Sequence, residues 1–214
     1  MFKVDTSGNE RVLYSFTGGA DGGFPVGGVI LDSKGNLYGT TNGGGASGAG
    51  VVFKVDPTGN ETVLYSFTGG ADGGYPLWVT LARDAAGNLY GTTVSGGASG
   101  AGVVFKVDAS GNETVLYSFT GGADGGWPQA GVIRDSAGTL YGTTIGNSFG
   151  AQVAYKVDPT GHQTVLHVFT GGADGGYPYG NLIRDPAGNL YGTANRGGKK
   201  GGGVVFMLRD VAAN

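Results

Sequence analysis

Phe16-Thr17-Gly18-Gly19-Ala20-Asp21-Gly22-Gly23 is followed by Phe24-Pro25, and the same eight residues return at Phe67, Phe119 and Phe169. After each octet comes an aromatic residue (Phe24, Tyr75, Trp127, Tyr177) and then a proline (Pro25, Pro76, Pro128, Pro178). Copies that start 51, 52 and 50 residues apart mean that one structural unit is being stacked.

Outward from the octet, the second repeat gives four strand signals. Leu77 to Asp84 is a short apolar run after proline. Asn88-Leu89-Tyr90-Gly91-Thr92-Thr93 is β-prone. Gly102-Val103-Val104-Phe105-Lys106-Val107-Asp108 is β-branched, and Glu113 to Phe119 alternates with period two. Nothing between them has helical periodicity. Two links are tight, Asp84 to Asn88 and Asp108 to Asn112, with aspartate opening the turn and glycine taking the left-handed position. The other two are long: Val94 to Ala101 and the octet itself. Antiparallel strands with alternating short and long links, repeated at this period, describe a propeller blade. Strand direction alternates, so both long loops fall on one face and both tight turns on the other.

The fold class expected is all-β, a single propeller domain over residues 1–214 with four four-stranded blades. Their spans are about 25–75, 76–127 and 128–177, with a last blade at 178–214 completed by 1–24. Glu10 to Phe16 would supply its outer strand, so that N- and C-terminal strands share one blade and no sheet edge stays open. One strand signal is in excess. Phe2 to Asp5 and Val204 to Asp210 both read as strand three, and the longer C-terminal copy is the better candidate. A monomer is favoured; the alternative is a homodimer forming an eight-bladed ring. Glycines at Gly27, Gly28, Gly131 and Gly180 are expected near the axis, where backbones approach closely. Trp78, in Leu77-Trp78-Val79-Thr80, breaks that pattern, and its repeat has one extra residue between Pro76 and Asp84.

Composition narrows the function classes. Of 214 residues 39% are hydrophobic and 14% charged, enough for a packed core despite 48 glycines. A net charge of −3 gives no electrostatic footprint for nucleic acid. The absence of cysteine excludes a disulfide scaffold and thiol catalysis. Met1 to Asp5 lacks a signal-peptide pattern, and no apolar run reaches membrane-spanning length, so no membrane partner is expected.

The segments Asn-Leu-Tyr-Gly-Thr-Thr, Gly-Val-Val-Phe-Lys-Val-Asp and Val-Leu-Tyr-Ser-Phe recur in order over essentially the whole chain. In them the chain resembles the glycine-rich GloVer tandem repeats of bacterial surface and secreted proteins. More loosely, Pro178 to Tyr191 resembles blades of the NHL type. The first resemblance implies a β-propeller, an extracellular or cell-surface setting and no established activity.

Asp21, Asp72, Asp124 and Asp174 lie in the long loops, each with an aromatic three residues on: Phe24, Tyr75, Trp127, Tyr177. A ring that stacks on a sugar face beside a carboxylate that accepts its hydroxyls suits a carbohydrate. The same pattern also serves the fold, with Asp-Gly making the turn and the aromatic packed between blades. Calcium needs six to eight oxygens, more than each loop offers, so no metal is expected. Asp32, Asp84, Asp135 and Asp185, with Asp5, Asp56, Asp108 and Asp158, precede the tight turns and read as turn caps. His162 and His167 occur once each, with no partner set for zinc. The glycine runs match no phosphate-binding fingerprint, and no cofactor is expected. Departures from repetition mark where a specific site would form: Trp78, the loop from Ile145 to Gln152, and Arg196, Lys199 and Lys200. They contain no acid–base pair, so no catalytic residue and no enzyme activity are expected. The function expected is a non-catalytic binding module for carbohydrate (a lectin-like role) or peptide on the long-loop face. The alternative is a structural repeat without a ligand of its own, cut from a longer surface protein.

Overall fold

The computed structural model describes residues 1–146 and 150–209. Asn147, Ser148 and Phe149 of the divergent third loop, and Asp210 at the end of the last strand signal, lie outside the described residues.

Seventeen short strands form five antiparallel sheets among the described residues, and neighbours in sequence are neighbours in each sheet. β1 (Phe2–Val4) pairs only with β2 (Glu10–Val12). β3 (Ile30–Leu31), β4 (Leu37–Thr41), β5 (Val51–Val55) and β6 (Glu61–Ser66) make the first complete unit. β7 (Ala82–Arg83), β8 (Leu89–Thr93), β9 (Val103–Val107) and β10 (Glu113–Ser118) make the second. β11 (Ile133–Arg134), β12 (Leu140–Thr143), β13 (Val153–Val157) and β14 (Gln163–Val168) make the third. β15 (Ile183–Arg184), β16 (Leu190–Ala194) and β17 (Val204–Leu208) form a three-stranded sheet. The all-β, helix-free reading holds. The blade shared between the two ends does not form: β2 is paired with β1, in a sheet separate from β17. The excess strand signal is thereby used, since Phe2 to Val4 finds its strand-four partner only eight residues away and closes a short loop at small entropic cost.

The first strand of each unit is shorter than the apolar run predicted, two residues only. Before it, the chain packs backbone on backbone. A Cβ on Gly27 would lie 2.1 Å from the Val79 carbonyl oxygen, and one on Gly131 2.0 Å from that of Thr80, so neither position admits a side chain. These glycines sit where the sequence reading expected close approach.

The core consists of layers between successive sheets. Phe16 meets Phe53 edge to face with ring centroids 4.9 Å apart, and Phe67–Phe105, Phe119–Tyr155 and Phe169–Phe206 repeat that contact at 5.0, 5.1 and 4.9 Å. Val52, Val104, Leu81 and Val132 close around them. Arg83, Arg134 and Arg184 each lay a guanidinium over a tyrosine of the preceding unit: Tyr38, Tyr90 and Tyr141. On the tight-turn side the aspartates act as caps. Asp56 Oδ1 accepts from the amides of Thr58 and Asn60 at 2.8 and 3.0 Å, and Asp32 accepts from the Lys34 and Asn36 amides and from the Tyr38 hydroxyl.

Candidate functional site on the long-loop face

The two long loops of one unit are hydrogen-bonded to each other, through Gly23 and Gly43, Gly74 and Ser95, Gly176 and Arg196. They therefore share one face, as strand alternation requires. Into this lattice each aromatic after the octet is clamped by its backbone. The Tyr75 amide donates to the Ala49 carbonyl of the preceding unit at 2.7 Å, and the Tyr75 carbonyl accepts from the Val94 amide. The Trp127 amide donates to the Ala101 carbonyl, and that of Tyr177 to Gln152 Oε1. Tyr75 and Tyr177 are held from both sides, Phe24 through its carbonyl and Trp127 through its amide, and all four take φ between 54° and 58°. That left-handed backbone is unfavourable for a bulky residue by about 1–2 kcal/mol, so the surrounding bonds over-determine it.

The loop aspartates each accept hydrogen bonds from within the fold. Asp72 accepts from the Thr68 amide at 2.7 Å, from the Tyr65 hydroxyl at 2.9 Å and from the Thr68 hydroxyl. Asp21 and Asp124 repeat this set with Thr17 and Tyr14, Thr120 and Tyr117. In the fourth copy His167 replaces the tyrosine, with Nε2 3.2 Å from Asp174. Hydrogen bonds, first those of the Thr17 and Thr170 hydroxyls, hold Asp21 and Asp174 below the usual carboxylate range. The carboxylates thus lock the octet turn. Their partner was legible, for a tyrosine or histidine stands seven residues before every one of them.

The aromatics divide. Phe24 and Tyr75 are exposed, whereas Trp127 is half-buried and packs on the second inter-sheet core. These three stand apart around the face. Tyr177 does join a cluster, together with Trp78. The extra residue after Pro76 places Trp78 itself at φ 55°, in a bend before β7, with the residue 47% exposed. Trp78 meets Tyr179 edge to face at 5.9 Å, Tyr179 stacks on Tyr177 at 6.2 Å, and the Arg196 guanidinium lies 5.0 Å over the Tyr177 ring. Trp78, Tyr179, Gly180, Thr193, Ala194 and Asn195 line an open cleft of about 580 Å³. Sequence reasoning flagged Trp78, Tyr177 and Arg196 but missed Tyr179, Thr193 and Asn195. The signal for Tyr179 was present: the other repeats carry Val26, Leu77 and Gln129 after the same proline. Lys199 and Lys200 are exposed on the adjoining loop. Among the described residues no group of three or more acidic, histidine or cysteine side chains could hold a metal ion.

A row of antiparallel sheets stacked through repeated inter-sheet layers, with its long loops gathered on one face, defines a β-propeller module. The chain belongs to the family of the Gloeobacter/Verrucomicrobia repeat, whose model matches residues 1–206. No curated protein matches the sequence. Solved structures share the fold, two gluconolactonase-named proteins among them. One, provisionally named a gluconolactonase, has 16% identity and a TM-score of 0.58, with 96% of this chain and 65% of that one covered. The other is a gluconolactonase from Xanthomonas campestris, with 17% identity and a TM-score of 0.60, covering 97% and 64%. The chain thus spans just under two thirds of their length. Their names correct one expectation. Blade repetition was read as excluding an enzyme, yet proteins built on this fold are named as enzymes, so repetition does not by itself exclude catalysis. Among the described residues no helix is long and apolar enough to cross a membrane.

Proposed function

We propose that the chain binds a sugar or sugar-derived ring in the cleft between Trp78 and Tyr179. The observation that carries this reading is the exposed bend at Trp78. One inserted residue, held in a left-handed backbone, puts an indole in the open, where it contributes nothing to a core and meets a second aromatic nearly at right angles. An aromatic corner of this kind covers the apolar face of a pyranose, and the exposed side chains of Thr193 and Asn195 offer hydroxyl-matching donors and acceptors. The loop aspartates are given no part in this reading, because each already accepts hydrogen bonds from a threonine and faces a tyrosine or, at Asp174, a histidine. Phe24, Tyr75 and Trp127 do not converge on the cleft. An extracellular or cell-surface setting, drawn from the resemblance to surface repeats, belongs to the same reading.

The names of the structural neighbours bring sugar lactones into the ligand class to be tested. The protein has two tryptophans, Trp78 and Trp127. A Trp127→Phe variant leaves Trp78 as sole reporter. Titration with D-glucono-1,5-lactone, gluconate and glucose is expected to change its fluorescence saturably for at least one of them, and a pH-stat reads whether the lactone is opened faster than in buffer. No saturable change with any of the three contradicts a site for these sugars at Trp78.

A further inference from the structure

Charge along this chain is sparse and mixed in sign, except in one loop. From Pro186 to Leu208 there are three cations, Arg196, Lys199 and Lys200, and no acid, in a chain whose net charge is −3. The equivalent places in the first unit are held by Gly43, Ala46 and Ser47, and in the second by Ser95, Ala98 and Ser99, all uncharged. The loops themselves are equivalent. The bridge between Gly176 and Arg196 repeats that between Gly74 and Ser95, and the bridge between Gly197 and Gly202 repeats that between Gly44 and Ala49. Ala46, Ser47, Ala98 and Ser99 are exposed although a further unit follows theirs, so the exposure of Lys199 and Lys200 belongs to their position within a unit. Their backbone is fixed. The Gly198 amide donates to the Gly172 carbonyl at 2.8 Å and the Gly201 amide to the Gly198 carbonyl at 3.1 Å, which sets the two lysines at the tip of a tight turn. Among the described residues none of the three cations has a carboxylate at ion-pair distance. Asp174, on the octet loop facing them, already accepts from Thr170 and faces His167.

Arg196 joins this loop to the aromatic cleft. Its guanidinium lies 5.0 Å over the Tyr177 ring, Tyr177 stacks on Tyr179 at 6.2 Å, and Tyr179 meets Trp78 at 5.9 Å. Asn195, the residue before it, lines the cleft. We propose that the cleft is one end of an extended site and that its ligand is an acidic oligosaccharide. One sugar ring lies against Trp78 and Tyr179, and the carboxylate of a uronic acid further along the same sugar chain is held by Arg196, with Lys199 and Lys200 adding charge beside it. The inference rests on the sugar reading of the Trp78 cleft and narrows it to a class. A guanidinium presents paired N–H donors in a planar fork that matches a carboxylate, and its attraction to the Tyr177 ring is electrostatic and uses none of those donors for a protein acceptor. Two rings, Tyr179 and Tyr177, stand between the indole and the guanidinium, so a single pyranose against Trp78 does not serve both. A nucleic acid or an anionic membrane calls for a broader basic face than one loop of a net-negative chain supplies. A uronic-acid chain matches both parts of the site, with apolar ring faces for the aromatic side chains and carboxylates for the cations.

The test uses tetrasaccharides of galacturonate, mannuronate and guluronate. Each is titrated as the free acid and after chemical reduction of its carboxyl groups to the neutral sugar, with Trp78 fluorescence in the Trp127→Phe chain as the readout. At low ionic strength at least one free acid is expected to bind saturably and about tenfold or more tighter than its own reduced form. That advantage is expected to shrink to about twofold or less in about 0.5 M salt, where exposed charges are screened. Arg196→Gln, and separately Lys199→Gln with Lys200→Gln, are each expected to weaken binding of that acid by about threefold or more. All three side chains are exposed, and thermal melts matching the parent chain confirm that the variants keep the fold. Equal affinity for the acids and their reduced forms would overturn the acidic ligand while leaving a sugar site at Trp78 in place. An advantage for the acid that survives unchanged in both sets of variants would overturn it as well. No saturable change with any of these saccharides would overturn this inference and the sugar reading together.

Discussion

Phe119 meets Tyr155 edge to face across the layer between the second and third units, at a centroid separation of 5.1 Å, and both side chains are completely buried. The contact is the molecular form of the repeat, since the phenylalanine that opens each octet ends one unit and packs on strand three of the next. Phe119→Ala removes a fully buried ring from that layer. It is expected to cost about 3–5 kcal/mol in urea unfolding. Phe16→Ala, at the open end where Phe16 is only half-buried, is expected to cost less. Equal costs would mean that burial within the layer does not set the contribution of this ring.

The loop carboxylates are predicted to be structural. Asp124→Ala leaves the Thr120 amide and the Tyr117 hydroxyl without their acceptor, and burial alone already pushes that hydroxyl upward, to about 12 together with the Asp124 contact. A loss of about 1–3 kcal/mol is expected. Ligand binding measured at Trp78 is expected to persist in this variant.

His167→Tyr restores the hydroxyl that the other three repeats aim at the octet aspartate. His167 Nε2 stands 3.2 Å from Asp174, against 2.8–3.0 Å for the tyrosines. The exchange is expected to raise stability by about 0.5–1.5 kcal/mol, read as a higher urea midpoint with an unchanged slope.

Glu113 supplies a pH dependence. Burial, with the Asp72 carboxylate adding to it, pushes its carboxyl up from 4.5 to about 7. A folded-state value above the unfolded one favours the protonated form in the fold. The contribution is therefore complete below about 4.5 and is lost as pH rises through 7. The third unit carries Gln163 at this position, with Nε2 donating to the Asp124 carbonyl. Glu113→Gln is expected to abolish that decline and to raise the melting temperature at pH 8 but not at pH 4. A parallel downward shift at both values would contradict it.

The period, the helix-free class, the aspartate-capped turns and the gathering of long loops on one face were all legible, because each rests on local chemistry repeated four times. The fate of the ends was not. Phe2 to Val4 and Phe206 to Leu208 are near-copies of one strand, and identical patterns leave the pairing to loop entropy and to whichever partner is near. The positive φ of the aromatics was hidden for another reason: at Tyr75 and Trp127 it goes with amide bonds donated to the Ala49 and Ala101 carbonyls of the preceding units, contacts that no single repeat displays. Trp78 stood out as an insertion, but its meeting with Tyr179, a hundred residues away, depends on how the units stack.

Trp78→Gly removes the indole and relieves a left-handed backbone that glycine adopts freely. Relief of strain offsets the lost packing, so stability is expected to stay within about 1 kcal/mol of the parent chain.

That variant gives the most direct test of the cleft. A glycan array is probed with the intact chain, with Trp78→Gly and with Asp124→Ala. The account predicts a defined set of glycans bound by the intact chain, retained by Asp124→Ala and lost by Trp78→Gly. Binding that survives in Trp78→Gly and disappears in Asp124→Ala would contradict it, and would return the site to the loop carboxylates.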